Sequence, residues 1–241
     1  MAKRLTVIVY ITEEIVGWMN NPIDSAAGGA KETKASNQAV LPLRGKVKNT
    51  TDLDLADIIK SDTIKDILTC LGCGIGDNFN INNLRYNRII ILTDADSDGK
   101  HIEILLMTLF LHHLPELVKQ GKIYAATPPL FRTKNSTGKE VKYWYAEDSE
   151  FKKYIRTHKN VQVTRFKGLG EQEPDELYAT TMNPATRHLV QLTTENLEAT
   201  LELYNQLLGK QPSLRRDFIL KNKLAHIDAD DIYDDFDDFE E

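Results

Sequence analysis

The run IIILTDADSDG, residues 89–99, decides the fold. Ile89 to Leu92 form an unbroken apolar stretch, the pattern of a strand buried on both faces of a parallel sheet. Asp94, Asp96 and Asp98 follow at every second position, where such a strand gives way to a loop and then a helix. Like charges this close are costly unless something positive neutralises them. A hard divalent cation held by oxygen ligands is the usual answer. Mg²⁺ chemistry at the carboxyl end of a sheet is therefore the first reading.

Three other readings compete. An EF-hand calcium loop opens D-x-D-x-D-G, but its twelfth position, a bidentate Glu, is Leu105 here, and its eighth is His101. A phosphatase of the D-x-D-x-T type needs Thr or Val where this chain has Asp98. A solvated acidic turn that merely caps the next helix is the plain structural alternative. The glycine and long apolar helix pattern after three alternating aspartates count against it.

At 241 residues, 41% of them apolar, the chain suits one large domain or two small ones. No apolar run approaches a membrane span. KRLTVIVYI at the start is too short for a signal peptide and meets Glu13 and Glu14 at once, so a cytoplasmic location (cytosol or nucleoid) is expected. The net charge of −6 conceals an asymmetry. The tail from Asp228 to Glu241 carries nine acidic and no basic residues, which leaves residues 1–227 at +3. Such a tail reads as solvated and disordered, and the mildly basic body permits contact with DNA. Cys70 and Cys73 form a single C-x-x-C with apolar flanks. Without a second pair it offers no four-ligand zinc site, and both are expected to be buried, reduced thiols.

Residues 5–10 read as a strand, 12–20 as a short helix, and SAAGGAK (25–31) as a loop entering a helix. Helices are expected over 53–60, with Leu53, Leu55, Ile58 and Ile59 on one side, and over 63–70. Strand 88–93 precedes a helix from about Gly99 with Ile102, Leu105, Leu106 and Leu109 at helical spacing. Pro115 opens another short helix that closes near Gly121. KIYAATPPLF (122–131) reads as a strand that ends at the proline pair, with a hairpin around NSTGKE linking it to VKYWYA. Helix 148–157, strand 161–166 and helix 173–181 complete an alternation that argues a parallel sheet covered by helices. A last helix over 195–208 carries Leu197, Leu201, Tyr204 and Leu208 on one face, with Gly209 as its cap.

Several segments together resemble the C-terminal half of the ATP-hydrolysing subunit of bacterial type IIA topoisomerases, gyrase B and the topoisomerase IV E subunit. In order they are DSAAGGAK (24–31), NQAVLPLRGKVKN (37–49), LGCGIGDNFNINNLRY (71–86), RIIILTDADSDGKHI (88–102), LPELVKQGKIYAATPPLF (114–131), RFKGLGE (165–171), MNP (182–184) and LRRDF (214–218). The resemblance implies an α/β TOPRIM domain, a Rossmann-like parallel sheet flanked by helices, over about 22–135. It further implies an α+β C-terminal region over 136–227, between a non-family segment (1–21) and the acidic tail (228–241). By the same resemblance Asp94, Asp96 and Asp98 are the metal-binding aspartates. Arg44, Lys46, Asn49 and Lys167 are then the DNA contacts, since phosphate neutralisation generally needs Arg or Lys. The nucleophile would be a tyrosine on a gyrase A or topoisomerase IV C-type partner, and Mg²⁺ would polarise the scissile phosphate.

Two departures qualify what the family implies. Its E-G-D-S-A motif reads Pro22-Ile23-Asp24-Ser25-Ala26 here, so the motif glutamate, a further metal ligand and acid or base, is replaced by Pro22. Glu13 and Glu14 stand eight or more residues upstream. Impaired cleavage support is expected. Family members also carry ATPase and transducer domains ahead of this region, and residues 1–21 resemble neither. The match opens where the motif should begin, which reads as a split, truncated or rearranged coding region. ATP is then not expected to bind, the chain alone is expected to be inactive, and any ATP-driven work would need a separate ATPase chain. Three classes of function remain. They are a topoisomerase subunit fragment, a non-catalytic DNA- and partner-binding remnant or decoy, and a stand-alone TOPRIM-type phosphotransfer enzyme or nuclease, against which Pro22 also counts.

Overall fold

The computed structural model describes residues 5–12, 38–44, 47–138, 140–146 and 148–223. The expected helix at 12–20 loses Thr12 to a strand, and its remaining residues, the SAAGGAK loop, Pro22, Lys46 and the acidic tail lie outside the described residues. Two compact units divide between Glu195 and Asn196.

The first unit is built on a sheet of order β2-β1-β3-β4-β8. Its strands are β1 (Leu5–Thr12), β2 (Gln38–Arg44), β3 (Tyr86–Leu92), β4 (Ile123–Ala126) and β8 (Leu189–Gln191). The first four run parallel and β8 closes the edge antiparallel. β1 is the interior strand between β2 and β3, with Val9 opposite both Leu41 and Ile91. Pro42 sits on β2, the outermost strand, where a missing N–H is tolerated.

Ile89, Ile90, Ile91 and Leu92 are all at most 2% exposed, so both faces of β3 are covered. On one face Ile90, Leu92 and Ala126 pack with Leu169, Leu177 and Met182 from much later in the chain. Helix α3 (Ser97–His113) packs against β1 and β3, and its Ile102, Leu105, Leu106 and Leu109 are buried at the expected spacing. Ahead of it come α1 (Leu55–Ile58) and α2 (Asp62–Leu71), and after it α4 (Pro115–Lys119). The helix expected over 53–60 is cut to one turn. Asp54 caps it by accepting from the Asp57 N–H, and Leu55 and Ile59 are exposed while Ile58 is buried. Cys73 is buried and Cys70 only half-buried, both as free thiols.

A second, three-stranded antiparallel sheet has the order β6-β5-β7, from β5 (Phe131–Lys134), β6 (Val141–Trp144) and β7 (Gln162–Arg165). This corrects the sequence reading twice. KIYAATPPLF ends as β4 before the proline pair, as expected, but the strand feeding the NSTGKE hairpin is a separate one, FRTK, after that pair. Strand 161–166 joins this antiparallel sheet, not the parallel one. Helix α5 (Ser149–Thr157) lays Phe151 against Phe131, stacked at 4.5 Å, and against the edge of Trp144 at 5.4 Å. A short α6 (Pro174–Leu177) runs into a π-helical turn, Tyr178–Met182.

The second unit is a pair of helices, α7 (Leu197–Leu208) and α8 (Pro212–Lys223). Asn196 caps α7 at its start and Gly209 ends it, and Arg215 donates back to the Leu207 carbonyl at 2.6 Å. α8 is an addition to the sequence reading.

Candidate functional site at the carboxyl edge of the parallel sheet

Parallel strands collect their carboxyl ends on one edge, the usual place for ligands in α/β sheets. Tyr10 of β1 pairs with Leu92 of β3, so two residues further on Thr12 ends β1 at the level of Asp94. Thr12 in turn pairs with Arg44, the last residue of β2. The backbones of Arg44, Thr12 and Asp94 therefore line up across three adjacent strands. Glu13 and Glu14 follow Thr12 in the chain and lie outside the described residues.

From Asp94 the chain turns tightly into α3. Asp96 is the N-cap, its Oδ1 accepting the Gly99 N–H at 2.7 Å. This is standard helix-start chemistry, and it commits only one of the two carboxylate oxygens. Asp98 lies in the first helical turn and is exposed. Gly99 presses onto the Asp94 backbone, and a Cβ there would stand 2.1 Å from the Asp94 carbonyl oxygen. The helix amino terminus also adds a partial positive charge suited to phosphate.

A segment 75 residues downstream completes this corner. After β7, Phe166 is buried and Leu169 is 1% exposed within the cluster under β3. This brings the Lys167–Glu171 loop against Asp94. The Leu169 N–H donates to Asp94 Oδ1 at 2.7 Å. Gly168 lies flat on the same carboxylate, and a Cβ there would stand 3.0 Å from Oδ1. Glu171 closes the loop by accepting the Lys167 N–H at 2.9 Å, and Lys167 itself is exposed two residues from the Asp94 contact. Sequence reading picked out Lys167 here but missed Gly168 and Leu169. Their role is played by a peptide N–H and by the lack of a side chain, and the first glycine of KGLGE is the trace it leaves in the sequence.

The loop is fixed from behind by a half-buried ion pair. Arg132 Nη1 of β5 meets Glu176 Oε1 of α6 at 2.6 Å, and the Tyr143 hydroxyl donates to the same oxygen at 3.2 Å. The Arg132 guanidinium also lies 5.6 Å from the centre of the Phe166 ring. Burial pushes the Glu176 carboxyl up, but the Arg132 hydrogen bond, the Glu173 N–H and the Arg132 charge outweigh it and hold it below the ordinary value. Burial and the Glu176 charge push the Tyr143 phenol up to about 12.

Asn49 is placed differently. Its Oδ1 accepts from the Thr51 N–H and hydroxyl, and the neighbouring Thr50 carbonyl meets His113 Nε2 at 3.1 Å. That turn is fastened at the carboxyl end of α3, whereas Asp94 to Asp98 stand at its amino end.

Among the described residues no three His, Cys, Asp or Glu side chains gather closely enough to enclose a metal ion. Mg²⁺ does not require such a cage, because it keeps several waters and takes one or two carboxylates plus substrate phosphate. Asp94 and Asp96, two carboxylates offering only oxygen donors, fit it in kind and number. Among the described residues no helix is long and apolar enough to cross a membrane.

Residues 24–128, which hold this sheet's β3 and the D-x-D-x-D-G that follows it, match the Toprim domain family. Residues 158–220 match a second family, the carboxyl terminus of the DNA gyrase B subunit. The chain is 45% identical over 204 residues to the DNA gyrase B subunit of Thermotoga maritima, covering 83% of this chain and 32% of that protein. It is 44% identical over 212 residues to the DNA topoisomerase 4 B subunit of Rickettsia typhi (85% and 31%), and 39% identical over 210 residues to that of Bacillus subtilis (86% and 32%). The chain belongs to the type IIA topoisomerase B-subunit family and corresponds to its carboxyl-terminal, Toprim-containing part. It spans about a third of the length of the curated relatives it matches.

Proposed function

We propose that the chain acts in the cytoplasm as the Mg²⁺- and DNA-binding part of a type IIA topoisomerase and supports double-strand cleavage and religation by the tyrosine of a gyrase A-type partner. The observation that carries this reading is the pair Asp94 and Asp96 at the carboxyl end of β3, in a chain of this family. Asp94 and Asp96 would hold the ion, with Asp98 on the first turn of α3 beside them. Mg²⁺, when bound, supplies charge that stabilises the scissile phosphate and the leaving 3′ oxygen. Arg44, Lys46 and Lys167 would take neighbouring DNA phosphates, and Asn49 would meet the duplex further along α3. ATP-driven strand passage would need an ATPase domain on the same or another chain.

The decisive variant is Asp94→Asn with Asp96→Asn. Asparagine keeps both acceptors, for Leu169 N–H and Gly99 N–H, so the fold stays while the charge goes. Calorimetric Mg²⁺ uptake, measured with partner and duplex present, should disappear in the double variant. Mg²⁺-dependent DNA cleavage by the reconstituted proteins should fall with it, and equal cleavage by parent and variant would sink the reading. Ion uptake and DNA binding without any cleavage would point instead to a non-catalytic module. Pro22→Glu with Ile23→Gly should then restore cutting.

A second source for the missing carboxylate is favoured by the register of β1. That strand ends level with Asp94, and Glu13 and Glu14 come next in the chain. On this reading Glu13→Gln with Glu14→Gln weakens Mg²⁺ uptake; on the two-aspartate reading it leaves uptake unchanged.

A further inference from the structure

We infer that the Gly168–Leu169 peptide is a positioning clamp for Asp94, so that the loop after β7 sets how that carboxylate meets its cation. The inference rests on the Mg²⁺ reading above and adds to it a named backbone group. Asp94 Oδ1 accepts the Leu169 N–H at 2.7 Å, a charge-assisted distance. That bond holds Oδ1 toward the loop and restricts how the carboxylate can turn. The donor is held firmly, since the Leu169 side chain is 1% exposed in the apolar cluster with Ile90 and Leu92, directly beneath the strand that leads into Asp94. The Glu171 N–H donates to the carbonyl of this same peptide, Gly168 O, at 3.2 Å, and Glu171 Oε2 accepts the Lys167 N–H at the start of the loop.

Gly168 is the second part of the clamp. Its φ of −151° is ordinary extended backbone, open to any residue, so conformation does not call for glycine here. Space does: an added Cβ would sit 3.0 Å from Asp94 Oδ1 and 3.3 Å from its Cγ. Gly170, two residues on in the same motif, has nothing within 4 Å of the corresponding position. The two glycines therefore make an internal control. Groups that orient a metal-binding carboxylate typically change affinity about 10–100-fold when disturbed.

Gly168→Ala and Gly170→Ala are to be compared in the full chain by Mg²⁺ calorimetry and by Mn²⁺ electron paramagnetic resonance. Amide hydrogen exchange at Leu169 is followed in parallel. Gly168→Ala should weaken Mg²⁺ and Mn²⁺ about 10-fold and speed Leu169 exchange, while Gly170→Ala leaves both within a factor of about two. Equal affinities in the two variants would overturn the inference. Should the unaltered chain take up no cation, the Mg²⁺ reading fails separately. The clamp is then judged in metal-free protein, where Asp94→Ala must speed Leu169 exchange about 10-fold and Asp94→Asn much less. Unchanged exchange in Asp94→Ala would sink the clamp as well.

Discussion

Two glycines touch Asp94, and they touch different parts of it. Gly99, in the corner leading into α3, lies against the Asp94 backbone; Gly168, in the loop after β7, lies against its carboxylate. The corner is local, five residues away and in the same strand–turn–helix. The loop arrives from 74 positions later, across a different sheet. A crowded backbone has no way to yield, whereas a crowded side chain can rotate. Substitution in the corner should therefore register as lost stability, and substitution in the loop as altered ion binding.

The largest effect expected from this contrast is on Gly99→Ala. A methyl 2.1 Å from a backbone oxygen must displace the strand end or the helix start, at a cost of about 3 kcal/mol or more. In a chain of this size the melting temperature should fall by about 10 °C by calorimetry. Gly168→Ala should lower it by no more than about 3 °C. If Gly168→Ala proved the more destabilising of the two, the contrast would be broken.

A smaller effect is expected behind the loop. Glu176→Gln leaves the Arg132 guanidinium half-buried beside a neutral partner, and should cost about 2–3 kcal/mol by denaturant unfolding. Because the folded Glu176 carboxyl lies below its ordinary value, its contribution is complete above the ordinary carboxylate range. It is lost as pH falls through the folded value. The acid limb of the stability curve should thus be shallower in Glu176→Gln than in the parent. An unchanged limb would show that the ion pair does not brace the loop.

The smallest change belongs to Lys167→Gln. Removing one phosphate contact should reduce the salt dependence of duplex binding by a slope of about 1 in log–log terms, without moving Mg²⁺ affinity. A shift in ion affinity instead would mean that the Lys167 ammonium, and not only the loop peptide, acts on Asp94.

The corner was legible in the sequence because side chains carry it. A fully apolar strand, a capping aspartate, a glycine and a helical stripe of Ile102, Leu105, Leu106 and Leu109 each leave a residue-type signal, and β3 and α3 appear where they were expected. The second sheet was read poorly for the opposite reason. FRTK is four residues long with two cations, too short and polar to register as a strand. Alternation of helices and strands also says nothing about which sheet β7 joins. At the site, Asp94 and Asp96 were found from their charge, and Lys167 from its motif. The Leu169 N–H could not be found that way, since a peptide donor looks the same in every residue and its acceptor lies 75 positions away.

Pro42 has one more consequence. Among the described residues the main sheet ends at β2 on one side and at three-residue β8 on the other, and the first of these rims carries a residue with no amide hydrogen to offer a newcomer. Neither margin is a good template for recruiting another chain's strand. Strand-to-strand recruitment at these two rims is thereby disfavoured.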